Sequence, residues 1–232
     1  MPYISIAIPC YEMKGKGLDF LDFSFKQIKK QTFKDYEVVI SDQSSDYSIQ
    51  LLCENWSNQI NIKYFRNEEK RGYFTANRNF GNKKCQGEII KFLDQDDYLF
   101  DEQSLEKIVN VFDEKTNWLV SSYIHTYDRL NFFNYHIPSL NDRIYLINTI
   151  GSPTCLTIRN KDVILMDENL KWIGDAEYYK QLFDKFGIPK ILLDITAVNY
   201  LWAGQTSISV AVEELRNKEN QYVINKYENR RI

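Results

Sequence analysis

The sequence predicts a single α/β domain with a mostly parallel central sheet flanked by helices, and three observations predict it. Apolar runs of strand length at residues 4–10, 36–40, 62–65 and 88–93 alternate with stretches whose apolar residues recur at helical spacing. Polar loops follow these strands, at the edge where a parallel sheet gathers its ligand-binding groups. The chain of 232 residues, 44% of them hydrophobic, is long enough to bury one substantial core, and it carries no internal repeat or low-complexity segment.

Ile4 to Cys10 reads as a buried strand that leaves the sheet near Pro9, because proline withholds a ladder donor. Two glycines punctuate the loop Tyr11–Gly17, and Leu18, Leu21, Phe25 and Ile28 then mark an amphipathic helix over the sheet. Tyr36 to Ile40 forms a second strand, Ser41 to Asp46 a polar loop, and residues 48–57 a helix that Asp46 is placed to cap. Ile62 to Phe65 gives a third strand, Thr75 to Lys84 a short helix and Glu88 to Leu93 a fourth strand. Alternation of this kind implies parallel pairing through right-handed crossovers. Leu105, Ile108, Val109 and Phe112 define a helix begun near Asp101, and Trp118 to Tyr127 a further strand. Between Asp128 and Ile150 the periodicity fades among aromatic, Asn and Pro residues, which reads as a variable loop region. Cys155 to Ile158 resumes strand character, and Asp175 to Phe186 is a helix stopped by Gly187 and Pro189. Residues 190–202 supply one or two strands, and a charged helix follows from about residue 210.

Composition removes several function classes. A net charge of −3 without long Lys or Arg blocks gives no field for nucleic acid. No run approaches the roughly 18 apolar residues that span a bilayer, and the N-terminus enters a strand without a signal-peptide pattern. The expectation is a cytoplasmic protein, with peripheral contact at a membrane left open by the basic residues Arg216, Lys218, Lys226, Arg230 and Arg231 beyond position 210. Cys10, Cys53, Cys85 and Cys155 lack Cys-x-x-Cys spacing and read as reduced packing residues. Only His125 and His136 exist, too few for a zinc site or a histidine-based triad.

The densest chemical signal is Ile89-Ile90-Lys91-Phe92-Leu93-Asp94-Gln95-Asp96-Asp97, an apolar strand that ends in three carboxylates within four positions. Carboxylates this close repel one another unless a cation or hydrogen-bond donors hold them, and oxygen-only ligands suit Mn²⁺ or Mg²⁺. An acidic turn that starts the next helix is the plainer alternative. Tyr11 can stack on a nucleobase or simply pack at the surface, and Asp42 can accept from a base N–H or form a turn. Arg78 can reach a base carbonyl or phosphate, or stand as a solvated helix residue.

In order along the chain, Ile8-Pro9-Cys10-Tyr11, Val38 to Asp46, Arg71-Gly72, Ala76 to Gly81 and Gly87 to Asp97 resemble the nucleotide-binding half of family 2 glycosyltransferases with the GT-A fold. The resemblance implies a Rossmann-like sheet with a nucleotide-sugar-binding half over residues 1–100 and an acceptor-binding half over 101–232. It implies a UDP- or dTDP-sugar donor held by Pro9, Tyr11, Asp42 and Arg78, with Asp94-Gln95-Asp96 as the family's DXD motif. Asp96 and then Asp94 would bind Mn²⁺ or Mg²⁺, with Asp97 in support. Asp167 to Tyr179 is similar to the family's motif beside the acceptor, and Asp175 matches its general base, although Asp at a helix start is also a common cap. The implied reaction is inverting, metal-dependent sugar transfer to a hydroxyl of a glycan or glycolipid, as in polysaccharide biosynthesis.

The chain also departs from that pattern. Gly174 stands where a second acidic residue is usual, with Glu177 close by as a possible helper. The closing segment Tyr200 to Ser207 lacks the Arg or His that often holds the diphosphate. Trp172 and Trp202 suit either a sugar-stacking platform or the half-buried core. Two rivals follow: a nucleotide-sugar-binding or scaffold protein without turnover, and a nucleotidyltransferase. The second is disfavoured by the loop Cys10 to Gly17, which carries Glu12 and no dense glycine series.

Overall fold

The computed structural model describes residues 1–205 and 213–228. In chain order the elements are β1 (Ile4–Cys10), α1 (Gly17–Lys30), β2 (Tyr36–Asp42), α2 (Ser48–Trp56), β3 (Ile62–Arg66), α3 (Phe74–Asn82), β4 (Ile89–Phe92) and β5 (Tyr98–Leu99). They continue as α4 (Ser104–Val111), β6 (Trp118–Thr126), β7 (Phe132–His136), β8 (Leu156–Arg159), α5 (Gly174–Phe186), β9 (Lys190–Tyr200) and α6 (Glu213–Tyr227). The strands form one sheet in the order β3-β2-β1-β4-β8-β6-β9-β5, with β7 added to β6.

Parallel pairing runs through β3, β2, β1 and β4, as successive strand–helix units require, and recurs between β6 and β9. Strand β8 is inserted antiparallel between β4 and β6, so β4, β6 and β9 still point the same way. Their C-terminal ends therefore share one edge of the sheet.

Side-chain alternation divides the core between the two faces. Ile4, Ile6 and Ile8 of β1 pack with Leu21, Phe25 and Ile28 of α1 and with Leu105 and Ile108 of α4. Ile90 and Phe92 of β4 pack with Trp118, Val120 and Leu156 beneath Tyr178, Tyr179 and Leu182 of α5. A smaller cluster, Leu170, Ile173, Ala176 and Val223, seats α6 against the start of α5.

Four local expectations are refined or corrected. β1 continues one residue past Pro9, where Cys10 pairs with Asp42. The stretch read as a variable loop contains β7, whose residues are largely exposed on both faces and so lack the alternation that marks a half-buried strand. Residues 190–200 form one strand, with register shifts against β6 at Ser121/Ser122 and Ser122/Tyr123. Asp46 sits one residue ahead of the α2 cap, accepting from the Ser48 amide and hydroxyl at 2.9 and 2.6 Å.

Candidate active site

Strands β1, β2 and β4 deliver Tyr11, Asp42 and the acidic loop to the shared edge. Tyr11 exposes its ring, while its amide donates to Gln95 Oε1 at 2.9 Å and Gln95 Nε2 donates to the Gly17 carbonyl at 3.0 Å. Gln95 thus clamps the loop after β1. Gly17 is required there, since a Cβ would stand 2.5 Å from the Tyr11 carbonyl oxygen. Pro9 is half-buried within β1, opposite Ser41.

Asp42 is fully buried, and its oxygens are already engaged. Oδ1 accepts from the Ser44 amide and hydroxyl at 2.8 and 2.5 Å, and Oδ2 from the Tyr64 hydroxyl at 2.7 Å, with Arg66 Nη1 at 3.5 Å. This carboxylate shapes the loop after β2. Arg78 projects from α3, buried, with its guanidinium over the Phe92 ring and Nη2 paired to Asp94. Its Nε and Nη1 have no acceptor among the described residues, an uncommon state for a buried donor and one that leaves hydrogen-bonding capacity beside Asp94.

The three carboxylates of the acidic loop differ in their main partners. Asp97 is buried and accepts from Thr154 Oγ1 at 2.5 Å, the Tyr200 amide at 2.9 Å and Asn199 Nδ2 at 3.1 Å. It ties the loop to β9 and to the short 3-10 turn Pro153–Cys155 that precedes β8. Asp96 is half-buried and accepts from Trp202 Nε1 at 2.8 Å. Burial and the neighbouring Asp94 charge push its pKa up to about 6. Among the described residues no three His, Cys, Asp or Glu side chains converge as a metal group, and Asp97 is occupied by its own donors. Asp94 and Asp96 remain as a mutually repelling, oxygen-only pair, which fits a hard divalent cation with open positions.

Asp175 lies in the first turn of α5 and is half-buried. Its Oδ1 accepts from the Ala176 amide at 2.8 Å and its Oδ2 from Asn148 Nδ2 at 3.0 Å. Burial is the main cause that raises its pKa to about 6, and the amide opposes it; Asp94 raises it further and Arg78 lowers it. Asp175, Asp94 and Arg78 therefore feel one another. A short hydrogen-bonded path also links Asp175 to Asp94. Asn148 Nδ2 also donates to the Gly151 carbonyl at 3.1 Å, and the next residue, Ser152, directs its hydroxyl to Asp94 and Asp97 at 3.5 and 3.4 Å.

Glu177 does not join Asp175. It is fully buried and bound by Tyr227 at 2.5 Å, Lys226 at 2.8 Å and Gln181 at 2.6 Å, which makes it an anchor for α6. The two tryptophans occupy separate positions. Trp202 packs on Phe20 with centroids 5.2 Å apart, whereas Trp172 lies under Arg216 of α6. Thr206 and Ser207 of the closing segment, and Arg230 and Arg231, lie outside the described residues. Gln95, Asn148, Ser152, Thr154 and Asn199 carried no assigned role in the sequence, and their partners lie as far as 102 positions away.

A mixed sheet with parallel nucleotide-type units, an acidic loop at the end of its fourth strand and a carboxylate at a helix start beside it define the GT-A class. The chain belongs to glycosyl transferase family 2, whose family model matches residues 5–167. A Campylobacter jejuni protein, GalNAc(5)-diNAcBac-PP-undecaprenol beta-1,3-glucosyltransferase, is 32% identical over 100 residues, covering 43% of this chain and 31% of that protein. The chain thus spans under a third of that relative's length. The structure of Staphylococcus aureus TarS 1-349 in complex with UDP-GlcNAc superposes with a TM-score of 0.74 at 21% identity, over 96% of this chain and 66% of that one. A Pyrobaculum calidifontis mannosyltransferase in complex with GDP-Man and Mn²⁺ superposes with a TM-score of 0.62 at 13% identity, over 87% of this chain and 57% of that one. At these identities the structural likeness speaks for the fold. Among the described residues, no helix is long and apolar enough to cross a membrane.

Proposed function

We propose that the chain transfers a sugar from a nucleoside diphosphate sugar, UDP- or dTDP-linked, to a hydroxyl of a glycan or glycolipid acceptor, with inversion at the anomeric carbon. The observation that carries the reading is Asp175, a half-buried carboxylate with raised proton affinity, in electrostatic contact with Asp94 and Arg78. Family membership supports the reaction class, and the name of the Campylobacter relative supports a lipid-linked glycan as acceptor.

In this reading Asp94 and Asp96 would hold Mn²⁺ or Mg²⁺, which when bound would supply positive charge for the departing nucleoside diphosphate. Arg78 adds a second positive charge beside Asp94, in a chain whose closing segment has no Arg or His through Gln205. Tyr11 offers its exposed ring to the base. Asp42 acts indirectly, by fixing the loop Gln43–Asp46 through Ser44 and Arg66. Asp97 and Trp202 hold the acidic loop in place. Asp175 takes the proton from the acceptor hydroxyl as that oxygen attacks the sugar. Asn148 points one carboxylate oxygen of Asp175, and a single base facing a single leaving group gives one displacement and therefore inversion.

Asp175→Asn tests the assignment in a donor-plus-acceptor assay. The expected result is a loss of transfer of about 10² to 10⁴-fold with donor affinity retained. Transfer near the wild-type rate would remove Asp175 from the mechanism.

A further inference from the structure

Lys91 lies in the middle of β4, opposite Ile6 of β1 and Thr157 of β8, and is fully buried. A lysine at the centre of a sheet is rarely fully buried without a paired carboxylate, because desolvating its ammonium is costly. Among the described residues the ammonium has no direct carboxylate partner: it donates to the Thr154 carbonyl. The same threonine uses Oγ1 to accept from the Asp94 amide at 3.1 Å and to donate to Asp97 at 2.5 Å. One residue therefore separates a buried positive charge from two members of the acidic loop. Burial lowers the Lys91 pKa to about 8, with Asp97 and Asp94 among the groups that hold it up, so the side chain is still charged at neutral pH.

We propose that Lys91 is an internal counter-cation of the acidic loop, weakening the loop's grip on a free divalent ion so that tight metal binding needs the donor diphosphate as well. The inference rests on the reading of Asp94 and Asp96 as the metal pair. Its physical basis is Coulombic. A fixed positive charge behind the loop would oppose an incoming divalent cation and partly offsets the charges of Asp94 and Asp97 when no cation is bound. A purely structural lysine would act with the opposite sign, since loosening the Thr154 turn would spoil the ligand geometry and weaken the metal.

The test is direct Mn²⁺ binding without nucleotide, read by electron paramagnetic resonance of the unbound ion, on wild type, Lys91→Met, Lys91→Gln, Lys91→Arg and Asp96→Ala. Met conserves volume in the core, and Gln keeps a donor to the Thr154 carbonyl, so the Gln variant holds the turn where Met alone would disturb it. We expect both neutral variants to bind free Mn²⁺ roughly tenfold more tightly than wild type, and Lys91→Arg to stay within about twofold of it. Unchanged or weaker binding by folded neutral variants would overturn the counter-cation role while leaving the metal pair in place. Wild-type protein that binds no Mn²⁺, or binds it equally after Asp96→Ala, would instead remove the metal pair and this inference with it.

Discussion

Asp175 and Asp96 both have pKa values near 6, raised chiefly by burial, and the direction fixes two opposite pH effects. A general base works only when deprotonated, so kcat/KM should fall about tenfold per pH unit below about 6 and level off above it. Stability moves the other way. The folded-state values lie above the ordinary 3.8, so these carboxylates contribute stability that is fully present below pH 3.8 and is lost as pH rises through about 6. Activity lost between pH 6 and 5 should therefore return on neutralisation, with the circular dichroism spectrum unchanged throughout. Loss of activity that tracks loss of structure would place the titration elsewhere. At this scale the sequence made Asp94, Asp96 and Asp97 legible because they lie within four positions, whereas the orientations of Asp94, Asp97 and Asp175 come from Asn148, Ser152, Thr154 and Asn199, brought in by the fold. Asp97 and Glu177 show the limit. Both carry the right functional group, yet the donors around them commit both to structural roles.

Among the elements, α6 supports the site through the start of α5. Glu219, buried on this helix, accepts from the Lys171, Trp172 and Ile173 amides at 2.8, 2.9 and 3.1 Å, supplying from outside the cap that the start of α5 lacks. A carboxylate at a helix N-terminus also complements its dipole. Glu219→Ala should cost about 3 kcal/mol, which for a domain of this size is a fall in Tm of roughly 6 to 12 °C. Because α5 carries Asp175, transfer should fall as well, and a variant that melts like wild type would show that the cap is not needed. Strands and helices with clear periodicity were readable within a residue or two, as at α1, β4 and α5. β7 was not, since its Phe132, Phe133 and Tyr135 are exposed and carry no two-sided pattern. A capping contact made by a residue 46 to 48 positions away has no local signature either.

Over the whole molecule, the donor and acceptor halves expected from the sequence interlock at the acidic loop. Asp94 and Asp97 come from the first half, but the groups that hold them, Ser152, Thr154, Asn199 and Tyr200, come from the second. The parallel strands of the first half were legible because buried apolar runs bounded by polar loops leave few other arrangements. Insertion of β8 between β4 and β6 was not, because strand order in a mixed sheet depends on long-range packing. In the proposed complex the acidic loop and Asp175 face each other across one bound diphosphate sugar. Diffraction at the manganese absorption edge, from crystals soaked in UDP and Mn²⁺, tests it most directly. We expect one anomalous peak within about 2.5 Å of Asp94 or Asp96 oxygens and the diphosphate, with Asp175 on the opposite wall of the same pocket. A diphosphate or metal peak bound away from this edge of the sheet would contradict it.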